Sequence, residues 1–150
     1  MVEPKLNTIV VTSSAFKQGE TIPIKYTGQG ADVSPPLSWG PVPEGTKSFA
    51  LINDDPDAPV GNWVHWLVKN IPKDTTEFKE GSFVGEAVAN SWGNEKYGGP
   101  MPPKGTHRYF FKIYALDIEN MKAKNAKDFY KEVEAHKIAQ GDLMGKYQKT

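Results

Sequence analysis

Twelve prolines and 14 glycines in 150 residues cut this chain into short runs of β-forming residues, and that punctuation constrains the fold more than any other feature. Proline lacks a backbone donor and glycine weakens any regular interior, so most of the chain cannot form long helices. Short apolar runs bounded by such residues read as strands joined by shaped loops. Thr8-Ile9-Val10-Val11 reads as a first strand. Ile22, Ile24 and Tyr26 alternate with Thr21, Pro23 and Lys25, which predicts a half-buried strand confined by Pro23 to an edge or a bulge. Residues 34–43, rich in proline, read as a long ordered loop.

Phe49-Ala50-Leu51-Ile52 is continuously apolar, as a central strand covered on both faces must be. In residues 62–71 the alternation places Val64, Trp66 and Val68 on one face and Trp63, His65 and Leu67 on the other. In residues 107–117, His107, Tyr109, Phe111 and Ile113 share one face, and Arg108, Phe110, Lys112 and Tyr114 share the opposite one. One segment reads as a helix, from about Ala126 to His136. Asn125 caps it, Phe129, Tyr130 and Val133 recur at helical spacing, and Gly141 is expected to mark its end. By length the chain is one domain, residues 1–150, large enough to bury about two thirds of its unfolded surface.

Charge excludes several partner classes. Lysine plus arginine and aspartate plus glutamate both total 18, so long-range attraction favours neither nucleic acid nor an acidic membrane surface. No apolar run reaches spanning length, and stable membrane insertion is not expected. Without cysteine there are no disulfides or thiolate metal sites, which suits a reducing compartment. Met1-Val2-Glu3-Pro4-Lys5 lacks a basic segment followed by an apolar core, so a cytoplasmic protein without a signal peptide is expected.

The chemistry concentrates in four places. Asp55-Pro56-Asp57-Ala58-Pro59 follows the central strand directly, where loop residues are presented for binding; Asp-Pro sequences are also ordinary turn formers. His65 lies mid-strand beside Trp63, and His107 lies beside Tyr109. Each reads as a core histidine or as a ligand contact, because an imidazole can donate to a phosphate oxygen while a carboxylate holds its other nitrogen. Gly98-Gly99-Pro100 is either a tight turn or a place where backbone N–H groups approach an anion, with Pro102 and Pro103 stiffening its rim. Arg108, the only arginine, points away from His107 by strand parity and reads as an ion-pair anchor. Enzyme signatures are poor. Gly81-Ser82-Phe83-Val84-Gly85 is not a nucleophile elbow, and His65, His107 and His136 are too dispersed for a metal-binding motif.

These motifs, with Ser34-Pro35-Pro36-Leu37-Ser38-Trp39 and Pro43-Glu44-Gly45-Thr46-Lys47-Ser48-Phe49, resemble the phosphatidylethanolamine-binding protein (PEBP) family in its bacterial and archaeal Raf-kinase-inhibitor-like branch. The resemblance covers roughly the whole chain. It implies an all-β fold, a two-sheet antiparallel Greek-key β-sandwich with a short C-terminal helix, and one anion pocket. Carried over position by position, the ligand-binding residues are Asp55, Asp57, Pro59, Trp63, His65, Gly98, Gly99, Pro100, His107 and Tyr109. This chain has Gly28 and Met101 where many relatives carry cysteine, and Asp32 where several carry asparagine.

The resemblance further implies a protein that binds a small anionic or zwitterionic ligand of phosphate or phosphorylethanolamine type. Such a protein regulates a partner kinase or serine protease and uses no cofactor, metal or catalytic chemistry of its own. A homodimer is compatible with it. The competing expectation is a hydrolase that uses Asp55, His65 and His107 on an ester or phosphoester.

Overall fold

Strands that bury both faces need a layer on each side, and this chain supplies a small sheet for one and a helix for the other. The computed structural model describes residues 7–149, so the reading of residues 1–5 as lacking a signal peptide lies outside the described residues. In chain order the elements are β1 (Asn7–Thr8), β2 (Val10–Thr12), β3 (Leu37–Gly40), β4 (Ser48–Asp55), β5 (Trp63–Pro72), β6 (Glu77–Phe78), β7 (Glu86–Val88), β8 (Thr106–Leu116), α1 (Ala126–His136) and β9 (Lys137–Gln148). The large sheet runs β1-β9-β8-β4-β5-β7 and the small one β2-β3-β6; all pairings are antiparallel except β1 with β9.

β4 lies between β8 and β5, and all eight of its residues are buried. Phe49 and Leu51 point into the core between the sheets with Trp39, Trp66 and Phe111, and Ala50 and Ile52 point the other way, toward Phe129 and Val133 of α1. The expected mainly β, two-sheet fold is therefore observed, with the helix as a third layer. The helix bounds agree with the sequence reading, and the Asn125 side chain accepts from the Asp128 N–H at 2.8 Å. No helix among the described residues is long and apolar enough to cross a membrane.

Four local expectations are corrected. The first strand breaks at buried Ile9, where the chain leaves the large sheet at Thr8 and joins the small one at Val10. The segment around Pro23 is not a strand. Thr21 makes one bridge to Lys146, and Ile24–Tyr26 forms a turn of 3-10 helix closed by Tyr26 N–H to the Pro23 carbonyl at 3.0 Å. Within residues 34–43, Leu37–Gly40 is the central strand of the small sheet, with Leu37 and Trp39 facing the core.

Gly141 does not end the helix, which stops at His136; it lies inside β9, a strand absent from the sequence reading. Inward positions of β9 are 139, 141, 143, 145 and 147, and glycine takes two of the five, which hides the alternation. A Cβ at Gly141 would collide with the Ile9 carbonyl, so the close approach of the first strands requires glycine there.

Candidate functional site

The pleat of β4 turns Asp54 and Asp55 to opposite faces, and Asp55 goes to the side of the small sheet. Asp55 is 3% exposed; its Oδ1 accepts the Asp57 backbone N–H at 2.8 Å and its Oδ2 accepts Nδ1–H of His107 at 2.7 Å. β8 keeps the parity read from the sequence. Tyr109, Phe111 and Ile113 lie in the core between the sheets, with His107 and Asp55 continuing that face at the strand ends.

β5 does not keep its parity. Asn53 pairs with Trp66 and Asp54 with Val64, so His65 is the extra residue of a β-bulge. The expected grouping of His65 with Leu67 is therefore wrong. Val64 and Leu67 point to the helix side, and His65 turns to the same side as Trp66, its ring centroid 5.2 Å from Tyr109 and 5.0 Å from Trp92. The His65 Nδ1–H donates to the Gly98 carbonyl at 2.6 Å. Burial holds the imidazole below its ordinary range, with the Gly98 carbonyl and the Asp55 charge opposing that shift.

Both imidazoles thus anchor through Nδ1, and among the described residues neither Nε2 has a protein partner. The two rings line one cleft of about 200 Å³. Asp55, Pro59, Trp63 and Tyr109 also line it. The Tyr109 hydroxyl and the Trp63 indole nitrogen are buried without a partner, and burial raises the Tyr109 pKa, keeping the hydroxyl a donor at neutral pH.

Four expected site residues stand outside this wall. Asp57 turns outward to Arg108, which donates to it through Nε at 2.9 Å, Nη2 at 2.8 Å and its backbone N–H at 2.9 Å. These contacts hold its carboxyl down to about 2. The pair confirms Arg108 as an anchor of the Asp-Pro loop. Gly98 and Gly99 cannot offer backbone donors to an anion in the cleft, because their N–H groups already reach the His65 carbonyl at 3.0 Å and Asp32 Oδ1 at 2.7 Å. The Pro100 carbonyl accepts from Gly28 at 3.0 Å, so this segment supports the cleft without lining it. Among the described residues no cluster of three His, Asp or Glu side chains could hold a metal ion.

Residues 12–148 match the family model of phosphatidylethanolamine-binding proteins. The chain belongs to that family. A UPF0098 protein of Aquifex aeolicus is 43% identical over 151 residues, covering 93% of this chain and 88% of its own, and one of Methanothermobacter thermautotrophicus is 42% identical, with 90% and 95% covered. Among solved structures, a PEBP homologue of Chlamydia trachomatis reaches a TM-score of 0.89 at 38% identity, over 96% of this chain and 99% of that one. YbcL of E. coli, described as a member of the mammalian PEBP family, reaches 0.88 at 33% identity, over 95% and 99%.

For this PEBP-family chain, the sequence motifs located the imidazoles and the Asp-Pro loop but missed Val60 and Trp92, which line the cleft with Met101. One signal for Trp92 was present. Asn90 precedes it by two residues, and its Oδ1 caps the turn by accepting from Trp92 N–H at 3.0 Å and Asn94 N–H at 3.1 Å. His136, the last residue of α1, pairs with Asp117 at 2.9 Å.

Proposed function

We propose that the histidine cleft binds a small anionic or zwitterionic group of phosphate type, and that this occupancy regulates a partner enzyme without catalysis by the chain itself. One observation carries the reading: two imidazoles held from behind through Nδ1 turn their second nitrogens to a cleft that also presents the unpartnered Tyr109 hydroxyl. Sites for drug-sized ligands run to ~300–1,000 Å³, so about 200 Å³ suits a headgroup-sized anion and leaves out a lipid tail. None of the residues lining the cleft is serine, threonine or cysteine, so the aliphatic hydroxyl and thiol nucleophiles that an imidazole ordinarily activates are lacking, and binding is favoured over hydrolysis. Val60, Trp92 and Met101, 78%, 47% and 42% exposed, give the mouth an apolar rim that a protein partner can cover. The kinase or serine protease expected from the family likeness would dock there, in a cytoplasmic setting.

Calorimetric titration with inorganic phosphate tests the reading. His65→Ala and His107→Ala should each weaken binding at least about tenfold, and His136→Ala, at the surface pair with Asp117, should leave it unchanged. Equal affinity in all four proteins removes the histidine cleft as the anion site. Turnover of a phosphomonoester that disappears in His107→Ala would restore the hydrolase reading.

A further inference from the structure

A second cavity, of about 280 Å³, adjoins the histidine cleft, and Trp92 and Met101 belong to the walls of both. Gly98 permits this arrangement. A Cβ there would lie 2.6 Å from Cζ3 of Trp92, so only glycine lets the indole settle against the backbone between the two spaces. The cavities are also joined through His65, whose Nδ1–H donates to the Gly98 carbonyl in the second cavity's wall.

The second cavity differs in chemistry. Asp32, Asn94 and Lys96 line it, where the histidine cleft has imidazoles, proline and aromatic rings. Asp32 is held in place. It sits at φ 58°, and one carboxylate oxygen accepts the Gly99 N–H at 2.7 Å, while its second takes no hydrogen bond among the described residues. Its charge reaches the His65 ring, so the two cavities also share an electrostatic field. An acyl chain would desolvate these polar groups without replacing their bonds to water. A cationic arm meets Lys96 and an anionic arm meets Asp32. A neutral hydroxylated arm satisfies all three, donating to Asp32, accepting from Lys96 and Asn94, and laying its C–H face on the half-exposed Trp92 ring.

We infer that the second cavity is a subsite for the polyol part of a phosphorylated polyol or sugar, whose phosphate occupies the histidine cleft. The inference rests on the anion reading of that cleft. Together the two spaces reach the size of an ordinary small-molecule site, which neither does alone.

Titration calorimetry on the full chain with inorganic phosphate, glucose 6-phosphate and phosphoethanolamine decides it. Glucose 6-phosphate should bind about tenfold tighter than phosphate. Asp32→Asn and Lys96→Ala should each erase most of that gain and leave phosphate affinity within about twofold. Asparagine keeps an oxygen for the Gly99 N–H and tolerates the positive φ, so the first variant removes charge with little change of shape. Equal affinity for phosphate and glucose 6-phosphate overturns the subsite and leaves the anion reading intact. A gain that survives both variants also overturns it. So does phosphoethanolamine binding tightest and losing that advantage in Asp32→Asn, since the arm recognised would then be cationic. Binding of neither phosphate nor glucose 6-phosphate would sink both readings, and so would affinities for both ligands that stay unchanged in His107→Ala, since the phosphate would then lie outside the histidine cleft.

Discussion

Asp54 and Asp55 are neighbours on one strand, 1% and 3% exposed, and they do opposite work. Asp54 faces the helix layer, where its Oδ2 takes the Tyr130 hydroxyl at 2.5 Å, Lys112 Nζ at 3.1 Å and Asn62 Nδ2 at 3.2 Å. Its donors come from α1, β8 and the loop before β5, so it ties three segments together. Asp55 faces the small-sheet side and holds one imidazole by its inner nitrogen, leaving the outer one to the cleft. Burial and charge are the same for both. The difference lies in whether the partner has a second functional end, and an imidazole does where an ammonium or a phenol does not.

That contrast can be broken in order of size. Asp54→Ala should lower unfolding free energy by about 3 kcal/mol, since the partly buried Lys112 and Tyr130 lose their acceptor. Urea denaturation measures it, and phosphate affinity of the folded fraction should stay close to wild type. Asp55→Asn should reverse the balance, costing about 1–2 kcal/mol of stability and about tenfold in phosphate affinity, because the imidazole loses the charge that orients it. If Asp54→Ala abolished binding at unchanged stability, the division between the two faces would be wrong.

The pH response sharpens the picture on the cleft side. Burial lowers the His65 pKa, so at pH 7 its Nε2 accepts from the P–OH of a hydrogen phosphate and donates to an unprotonated oxygen only once the ring gains a proton. Affinity for sulfate, which carries no proton in this range, should be flat above pH 6.5 and rise as pH falls below it; that rise should shrink in His65→Ala. Stability runs the other way. The unfolded chain binds the His65 proton more readily, so the stability present above pH 6.5 is lost progressively toward the depressed folded value. Calorimetry and thermal unfolding from pH 8 to 5 separate the two trends.

Smaller effects belong to the supports of each face. Asn125→Ala, which removes the cap of α1, should cost about 1 kcal/mol in thermal or urea unfolding and leave the cleft unaffected. Arg108→Lys loses the fork on Asp57, a pair open enough to solvent that only a small fall in melting temperature is expected. The Asp57 carboxyl lies at about 2, below its usual 3.8. The pair's contribution is therefore full above pH 3.8 and lost as pH falls through about 2. Loss of phosphate affinity at unchanged melting temperature would show that Arg108 does more than anchor the loop.

Local residue pattern was enough to determine the mainly β architecture, the buried β4, the parity of β8 and the capped helix at 126–136, because pleat, periodicity and capping act within a few residues. The motifs also singled out Asp55, His65 and His107, which the folded chain brings into the wall of one cleft. What the tertiary structure alone decided was which way several of them face. The bulge at His65 arises from pairing with β4, and no run of alternation within β5 reveals it. β9 stayed hidden because two of its inward positions are glycines, Gly141 packed against the Ile9 backbone and Gly145 against the Ile22 and Phe16 side chains. Gly98 and Gly99 look like free backbone donors in sequence. Their hydrogen bonds to His65 and Asp32, 33 and 67 residues away, exist only once the chain has closed. Competition for each polar group is settled by neighbours in space, and sequence order does not record them.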